Sequence, residues 1–195
     1  MSPDPAAESA LWHAALEQDG SAFGRLFDLH RDAVLRQALR LVASPADAEE
    51  VAAAAFFELW RKRATVRLVD GSVLPWLLVT AANLSRNSHR ALVRREALLR
   101  RAPHDPGTRD AAAFERIDDD LLRSDLVRAL RRLQPQDVAL ITMTALDGFR
   151  VAEVAELLGL TENAARVRLH RAHKRLRGLL DPTGRARVET QEVGR

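Results

Sequence analysis

The stretch VAEVAELLGLTENAARVRLHRAHKRLRGLL, Val151 to Leu180, decides how the chain is read. It divides into a short helix, a turn at Gly159 and a second helix that Thr161 can cap. Gly159 tolerates positive φ, Ala155 is small enough to let two helices cross closely, and Leu160 can plug the gap between them. At about 100° per residue, Ala165, Leu169, Ala172 and Leu176 fall on one face of the second helix, which must be buried. The opposite face displays Asn163, Val167, His170 and Lys174, flanked by Arg166 and Arg171, a cationic surface shaped for the major groove. The spacing predicts a helix-turn-helix. A solvated basic face on a helical hairpin is the alternative the motif leaves open.

Working outward, Leu122, Leu126, Leu130 and Leu133 repeat at spacings of three and four. Pro135 then opens another helix that Gly148 can terminate. Upstream, APHDPGTRD at residues 102–110 gathers Pro, Gly and Asp, interrupts every period and marks an interdomain linker. Downstream, DPTGRARVETQEVGR is polar and reads as a frayed tail. The fold class expected is all-α: two small helical domains joined by a flexible linker, the C-terminal one containing the helix-turn-helix. The boundaries are 7–101 for the first domain, 102–117 for the linker, 118–180 for the second and 181–195 for the tail.

In the N-terminal half the first helix covers Ala7 to Gln18, and Ser21 is the expected cap of the next. Phe23, Leu26, Phe27, Val34, Leu35, Ala38 and Val42 recur at helical spacing and give that helix a core face. Ser44-Pro45 starts a third helix running to about Lys62, with Ala48, Val51, Ala52, Ala55, Phe56 and Leu59 along one side. Asp47, Glu49, Glu50 and Glu58 remain for solvent or a partner, and the acidic first turn suits the helix dipole. RKRATVRLVDGSVLP has no period and reads as a loop ending in a cap at Ser72. A long helix follows from Val73 to about Arg100, apolar first (Trp76, Leu77, Val79) and rich in arginine afterwards.

Composition narrows the function. The 195 residues carry 47% hydrophobic side chains, enough for a core, but only 5% aromatics and no Tyr. With no Cys there are no disulfides, thiolate nucleophiles or thiolate metal sites. No stretch approaches the roughly 20 apolar residues of a membrane span and no basic leader precedes an apolar run, so a cytoplasmic protein without membrane insertion is expected. The net charge is only +3, yet arginines gather at Arg86 to Arg101 and Arg166 to Arg177, suggesting two cationic faces that can meet phosphates. His170-x-x-His173 lies among arginines, whereas a metal pair would want carboxylate neighbours, and Asp118 to Asp120 suit a helix start. No enzymatic activity and no cofactor are expected.

LQPQDVALITMTALDGFRVAEVAELLGLTENAARVRLHRAHKRLRGLL resembles region four of the extracytoplasmic-function group of the sigma-70 family, which reads the minus-thirty-five element. AFGRLFDLHRDAVLRQALRLVASPADAEEVAAAAFFELW is similar to the family's polymerase-binding helices, and WLLVTAANLSRNSHR to the stretch that melts the promoter and holds the minus-ten element. Five departures stand out. Ala164-Ala165 replaces the usual Thr-Val, Arg150 the capping Ser, and Ala53-Ala54 a Gln-Glu pair. Beside Asn83, Ala82 replaces an Arg and Asn87 an Asp.

The resemblance implies an alternative sigma factor that binds core RNA polymerase at the β′ clamp and β flap, directs initiation at promoter DNA and has an anti-sigma partner. The implied minus-thirty-five contacts are Thr161, Asn163, Arg166, Val167, Arg168, His170, Arg171 and Lys174. The minus-ten contacts are Asn83, Arg86, Asn87 and Arg90, which can share one helical side where amides bond base edges and guanidinium groups phosphates. The implied polymerase contacts are Asp47, Glu49, Glu50 and Phe56. Ala53-Ala54 either weakens core binding or merely favours the helix while the carboxylates keep the contact. The loop from Ala64 to Val73 would receive a flipped base, with Trp76 either beside it or in the core. A stand-alone regulator and an interaction module with weakened core binding are the rival readings.

Overall fold

The computed structural model describes residues 5–86 and 124–181. The first segment holds α1 (Pro5–Leu16), α2 (Gly20–Leu41), α3 (Pro45–Lys62), a 3₁₀ turn (Arg63–Thr65) and α4 (Leu74–Leu84). The second holds α5 (Asp125–Arg131), α6 (Pro135–Ala145), α7 (Val151–Leu157) and α8 (Glu162–Leu180). The linker read at 102–117, Leu122 and the tail beyond Asp181 lie outside the described residues.

Local chemistry explains most helix starts. Ser44 Oγ accepts from the Asp47 amide at 3.0 Å and Pro45 opens α3, as its sequence predicts. Ser124 caps α5 and Thr161 caps α8 in the same way, each at 3.2 Å. At α2 the cap is Asp19, not Ser21: Asp19 Oδ1 accepts from the Ser21 and Ala22 amides at 2.8 and 3.2 Å, and the Ser21 hydroxyl itself donates to it. A carboxylate there also faces the positive helix end, which a hydroxyl does less well. Helix α4 stops at Leu84, where the Ser85 hydroxyl donates to the Ala81 and Ala82 carbonyls. The predicted continuous helix from Val73 therefore breaks at Ser85; its continuation to Arg100 lies outside the described residues.

The start of α4 has an additional support from α1. Glu8 is 1% exposed, and its Oε1 accepts from His30 Nε2, Ser72 Oγ and the Val73 amide, each at 2.8 Å. Ser72 Oγ in turn accepts from the Leu74 amide at 3.0 Å, but the N-cap position of α4 is Val73, not the Ser72 read from sequence; Ser72 supports the first turn from one residue further out. Burial pushes the Glu8 carboxyl up, but the His30 and Val73 hydrogen bonds, the charge of His30 and the Ser72 bond outweigh it and hold the group below its ordinary value. One side chain thus fastens α1, α2 and the approach to α4.

Helices α1 to α4 pack on one another, and α2 and α4 also meet α5, α6 and α7. Leu26, Leu59 and Leu77 lie in the same continuous apolar cluster as Leu140 and Met143. Leu39 and Leu41, absent from the predicted core face of α2, are buried in this cluster, which also takes in α5 and α6. Polar groups cross the seam: Thr142 Oγ1 donates to Gln37 Oε1 at 3.0 Å, Arg131 donates twice to the Leu39 carbonyl at 2.9 and 3.1 Å, and Gln136 donates to Asn83 Oδ1 at 3.3 Å. Buried Gln37 Nε2 has no hydrogen-bond partner among the described residues. Phe27, read on the core face of α2, sits at the surface instead at 38% exposure, and Leu126 of the leucine repeat is 45% exposed. Trp76 is half-buried against the core.

Candidate nucleic-acid interface

The unit read from Val151 to Leu180 folds as its residues dictate. Val154 and Ala155 are buried where α7 meets α8, Gly159 takes φ +69°, and the Leu160 amide donates to the Ala155 carbonyl at 2.8 Å to close the turn. The cap of α7 is unusual. A guanidinium cannot accept a hydrogen bond, so Arg150 supplies no substitute for a hydroxyl. Glu153 instead reaches back to the Arg150 amide at 2.8 Å and pairs with its guanidinium, completing one half of a capping box. The helix behind, α6, ends at Ala145, three residues before Gly148, whose φ of +75° turns the chain toward α7.

Helix α8 packs on α5, α6 and α7. Ala165, Ala172 and Leu176 are buried and Leu169 is half-buried, so the opposite face is free. It presents Asn163, Val167, His170, Arg171 and Lys174, with Arg166 at its edge paired to Glu162 one turn earlier. Val167 is 44% exposed, which places it on the outer surface and not under a neighbouring helix. Thr161 sits at the N-terminal end as the cap.

Arg168 departs from the expected set. It lies on the flank of α8, where Nε donates to Asp137 Oδ1 and Nη1 to Gln136 Oε1 at 2.9 Å. Arg175, one heptad on, donates to the other oxygen of Asp137 at 3.3 Å. The residue read as a DNA contact is thus engaged internally, because a buried carboxylate on α6 is within its reach. Sequence reasoning passed over Asp137, since a pairing across 31 residues leaves no local signal.

On the first half, Asn83 is exposed in the last turn of α4 and Arg86 is exposed two residues beyond its end, while Asn87 and Arg90 lie outside the described residues. Asp47, Glu49 and Glu50 are exposed on α3. Phe56 is corrected: it is 4% exposed and its ring lies 4.7 Å from that of Phe27, so it belongs to the core and not to a contact surface. The exposed aromatic of α3 is the next residue, Phe57, at 65%. With Glu50, Ala53 and Ala54 it forms an i, i+3, i+4, i+7 stripe. Phe57 also borders a groove of about 330 Å³ with Phe23, Phe56 and Trp60. Among the described residues no group of three His, Asp or Glu side chains is arranged to hold a metal, and no helix is long and apolar enough to cross a membrane.

Comparison with known proteins agrees with this layout. Residues 26–95 match the family model for sigma-70 region 2, and residues 123–176 that for sigma-70 region 4. The RNA polymerase sigma factor CarQ of Myxococcus xanthus is 33% identical over 166 residues, covering 84% of this chain and 92% of its own. The ECF RNA polymerase sigma factor BldN of Streptomyces coelicolor is 28% identical over 182 residues, covering 93% and 69%. The fold is similar to CnrH in complex with the cytosolic domain of CnrY, with a TM-score of 0.61 at 24% identity over 90% of this chain and 98% of that one. It is also similar to the sigma factor RpoE in complex with the anti-sigma factor NepR from Bartonella quintana, with a TM-score of 0.56 at 20% identity over 82% and 96%. With both region models in order and a relative of this identity along nearly its whole length, the chain belongs to the sigma-70 family of RNA polymerase sigma factors, in the extracytoplasmic-function group.

Proposed function

We propose that this alternative sigma factor docks on core RNA polymerase through the outer stripe of α3 and reads promoters with two separate surfaces: α8 on the minus-thirty-five element, and Asn83 at the end of α4 with Arg86 just beyond it on the minus-ten element. The observation that carries the reading is α8, whose inner face is fixed by burial while its outer face offers an amide, an imidazole, cations and one exposed valine. Residues 102–117 join the two domains as a linker in this reading. An anti-sigma polypeptide is a further proposed partner, as in the similar complex of RpoE with the anti-sigma factor NepR. The cytoplasm, where polymerase works, is the proposed location.

The outer residues of α8 are assigned different tasks. Arg171→Ala removes a phosphate contact, so duplex binding should weaken alike on all sequences and the log–log salt slope should fall by about one. Val167→Ser should cost about 1 kcal/mol only where a thymine methyl faces it, with the melting temperature unchanged. Titrations on promoter variants differing at single base pairs measure both. A uniform loss from Val167→Ser would contradict its role in readout.

The α3 stripe predicts the opposite division. Glu50→Lys should weaken binding to core polymerase on the order of tenfold and leave duplex binding by the free chain nearly unaltered. Equal losses in the two assays would refute the assignment. Where the family carries Gln-Glu, Ala53-Ala54 joins Phe57 in an apolar patch beside Glu50, so hydrophobic burial takes over part of the role of those polar contacts.

A further inference from the structure

Between the start of α6 and the flank of α8 lies an open cleft of about 520 Å³, lined by Gln134, Asp137, Val167, Arg168, Arg171 and Arg175. Its charges are unevenly matched. Three guanidinium groups face one carboxylate, and that carboxylate is buried, its side chain 4% exposed. Asp137 holds Arg168 by Oδ1 and Arg175 by Oδ2, while Gln136 takes a second Arg168 nitrogen. No carboxylate among the described residues pairs with Arg171, which stands between them in sequence and opens onto the outer face beside Val167. The Arg168 and Arg175 side chains remain 31% and 60% exposed, so both stay within reach of an anion entering the cleft.

A duplex lying on the outer face of α8 brings its backbone to this cleft. Each arginine that neutralises a phosphate adds sequence-independent affinity and steepens the salt dependence, by about 0.9 in the log–log slope. An arginine already neutralised internally adds neither. We infer that Asp137 is a positioning residue that sets the sequence-independent part of DNA binding: it withholds Arg168 and Arg175 from the phosphates and leaves Arg171 to make the contact. The ratio of specific to non-specific affinity then depends on a residue that touches no DNA. This rests on α8 being the DNA-reading helix.

The test uses the full-length chain and a fluorescent duplex of about 20 base pairs of arbitrary sequence, because phosphate contacts need no promoter. Affinity is measured across a salt series, with a thermal melt for each protein. Asp137→Asn keeps the shape and removes the charge. It should tighten binding several-fold at low salt and steepen the slope by roughly one to two. The triple variant Asp137→Asn, Arg168→Gln, Arg175→Gln should return to the wild-type slope. In the wild-type background, Arg168→Gln should lower the slope by much less than Arg171→Gln does. A simple strut that only docks α8 on α6 gives a lower melting temperature with an unchanged or shallower slope for Asp137→Asn, and that result overturns the inference. If Asp137→Asn does not fold, the comparison of Arg168→Gln with Arg171→Gln decides, since equal falls mean that Arg168 already contacts phosphate. A wild-type chain that binds no duplex at any salt removes the DNA-reading role of α8 and the inference together. Binding by wild type with an unmoved slope in Asp137→Asn removes the inference alone.

Discussion

Replacing Glu8 by Ala is expected to destabilise the protein by about 3–5 kcal/mol, because it breaks a buried charged cluster and strands every partner. His30, the Ser72 hydroxyl and the Val73 amide all donate to the same carboxylate oxygen, and His30 is itself only 2% exposed. The melting temperature should fall on the order of 10 °C. Acid provides an independent check. The carboxyl of Glu8 is held below its ordinary value of 4.5, so its contribution is present above that pH and is lost as the pH falls through the lower folded-state value. Glu8→Gln, which cannot titrate, should show a flatter loss of stability in that acid range than the wild type. A cost for Glu8→Ala below about 1 kcal/mol, the size expected of a surface carboxylate, would contradict the cluster.

Linking the two halves across their seam should abolish promoter-directed transcription while leaving duplex binding by α8 intact. The minus-ten and minus-thirty-five elements are about 25 base pairs apart, roughly 85 Å of duplex at 3.4 Å per step. A compact chain of this length has a radius of gyration of about 16 Å, so the closed arrangement cannot touch both elements at once. The seam is imperfectly matched: Gln37 accepts from Thr142 across it, but its buried amide nitrogen has no hydrogen-bond partner among the described residues, which weakens the closed arrangement. Because the chain has no Cys, Arg40→Cys with Asp147→Cys creates the only thiols, at two side chains of opposite charge that attract each other across the seam. A short bis-maleimide should join them. The linked protein should give at least tenfold less transcript than the same variant left unlinked, and equal transcription by the two forms would refute the opening step.

The parts legible in the sequence were those whose causes are local. Thr161, Gly159 and the alternation of Ala165, Ala172 and Leu176 lie within one supersecondary unit, so capping and period suffice to place them. The outer face of α8 followed by subtraction. What escaped depends on partners distant in the chain. Glu8 reads as one solvated carboxylate in an alanine-rich helix, and only the fold brings Ser72 and Val73 to it, 64 and 65 residues away. Arg168 reads as one more cation on a basic helix until Asp137 is seen beneath it. Leu39 and Leu41 lay off the predicted face because a single helical period allows one buried side, whereas α2 packs against both halves. Phe56 and Phe57 are adjacent, and a shift of about 100° around the helix separates core from contact surface.

The most direct test of the central claim is transcription by sigma-free core RNA polymerase supplied with this chain and fragmented bacterial DNA, with the 5′ ends of the RNA mapped. A limited set of start sites sharing two upstream motifs at the minus-ten and minus-thirty-five spacing is expected, with transcript from them reduced by Glu50→Lys through weakened core binding and by Arg171→Ala through weakened promoter capture. Start sites that are the same with and without the protein, while the chain still binds duplex DNA as a symmetric dimer on palindromes, would contradict it and identify a regulator that works without polymerase.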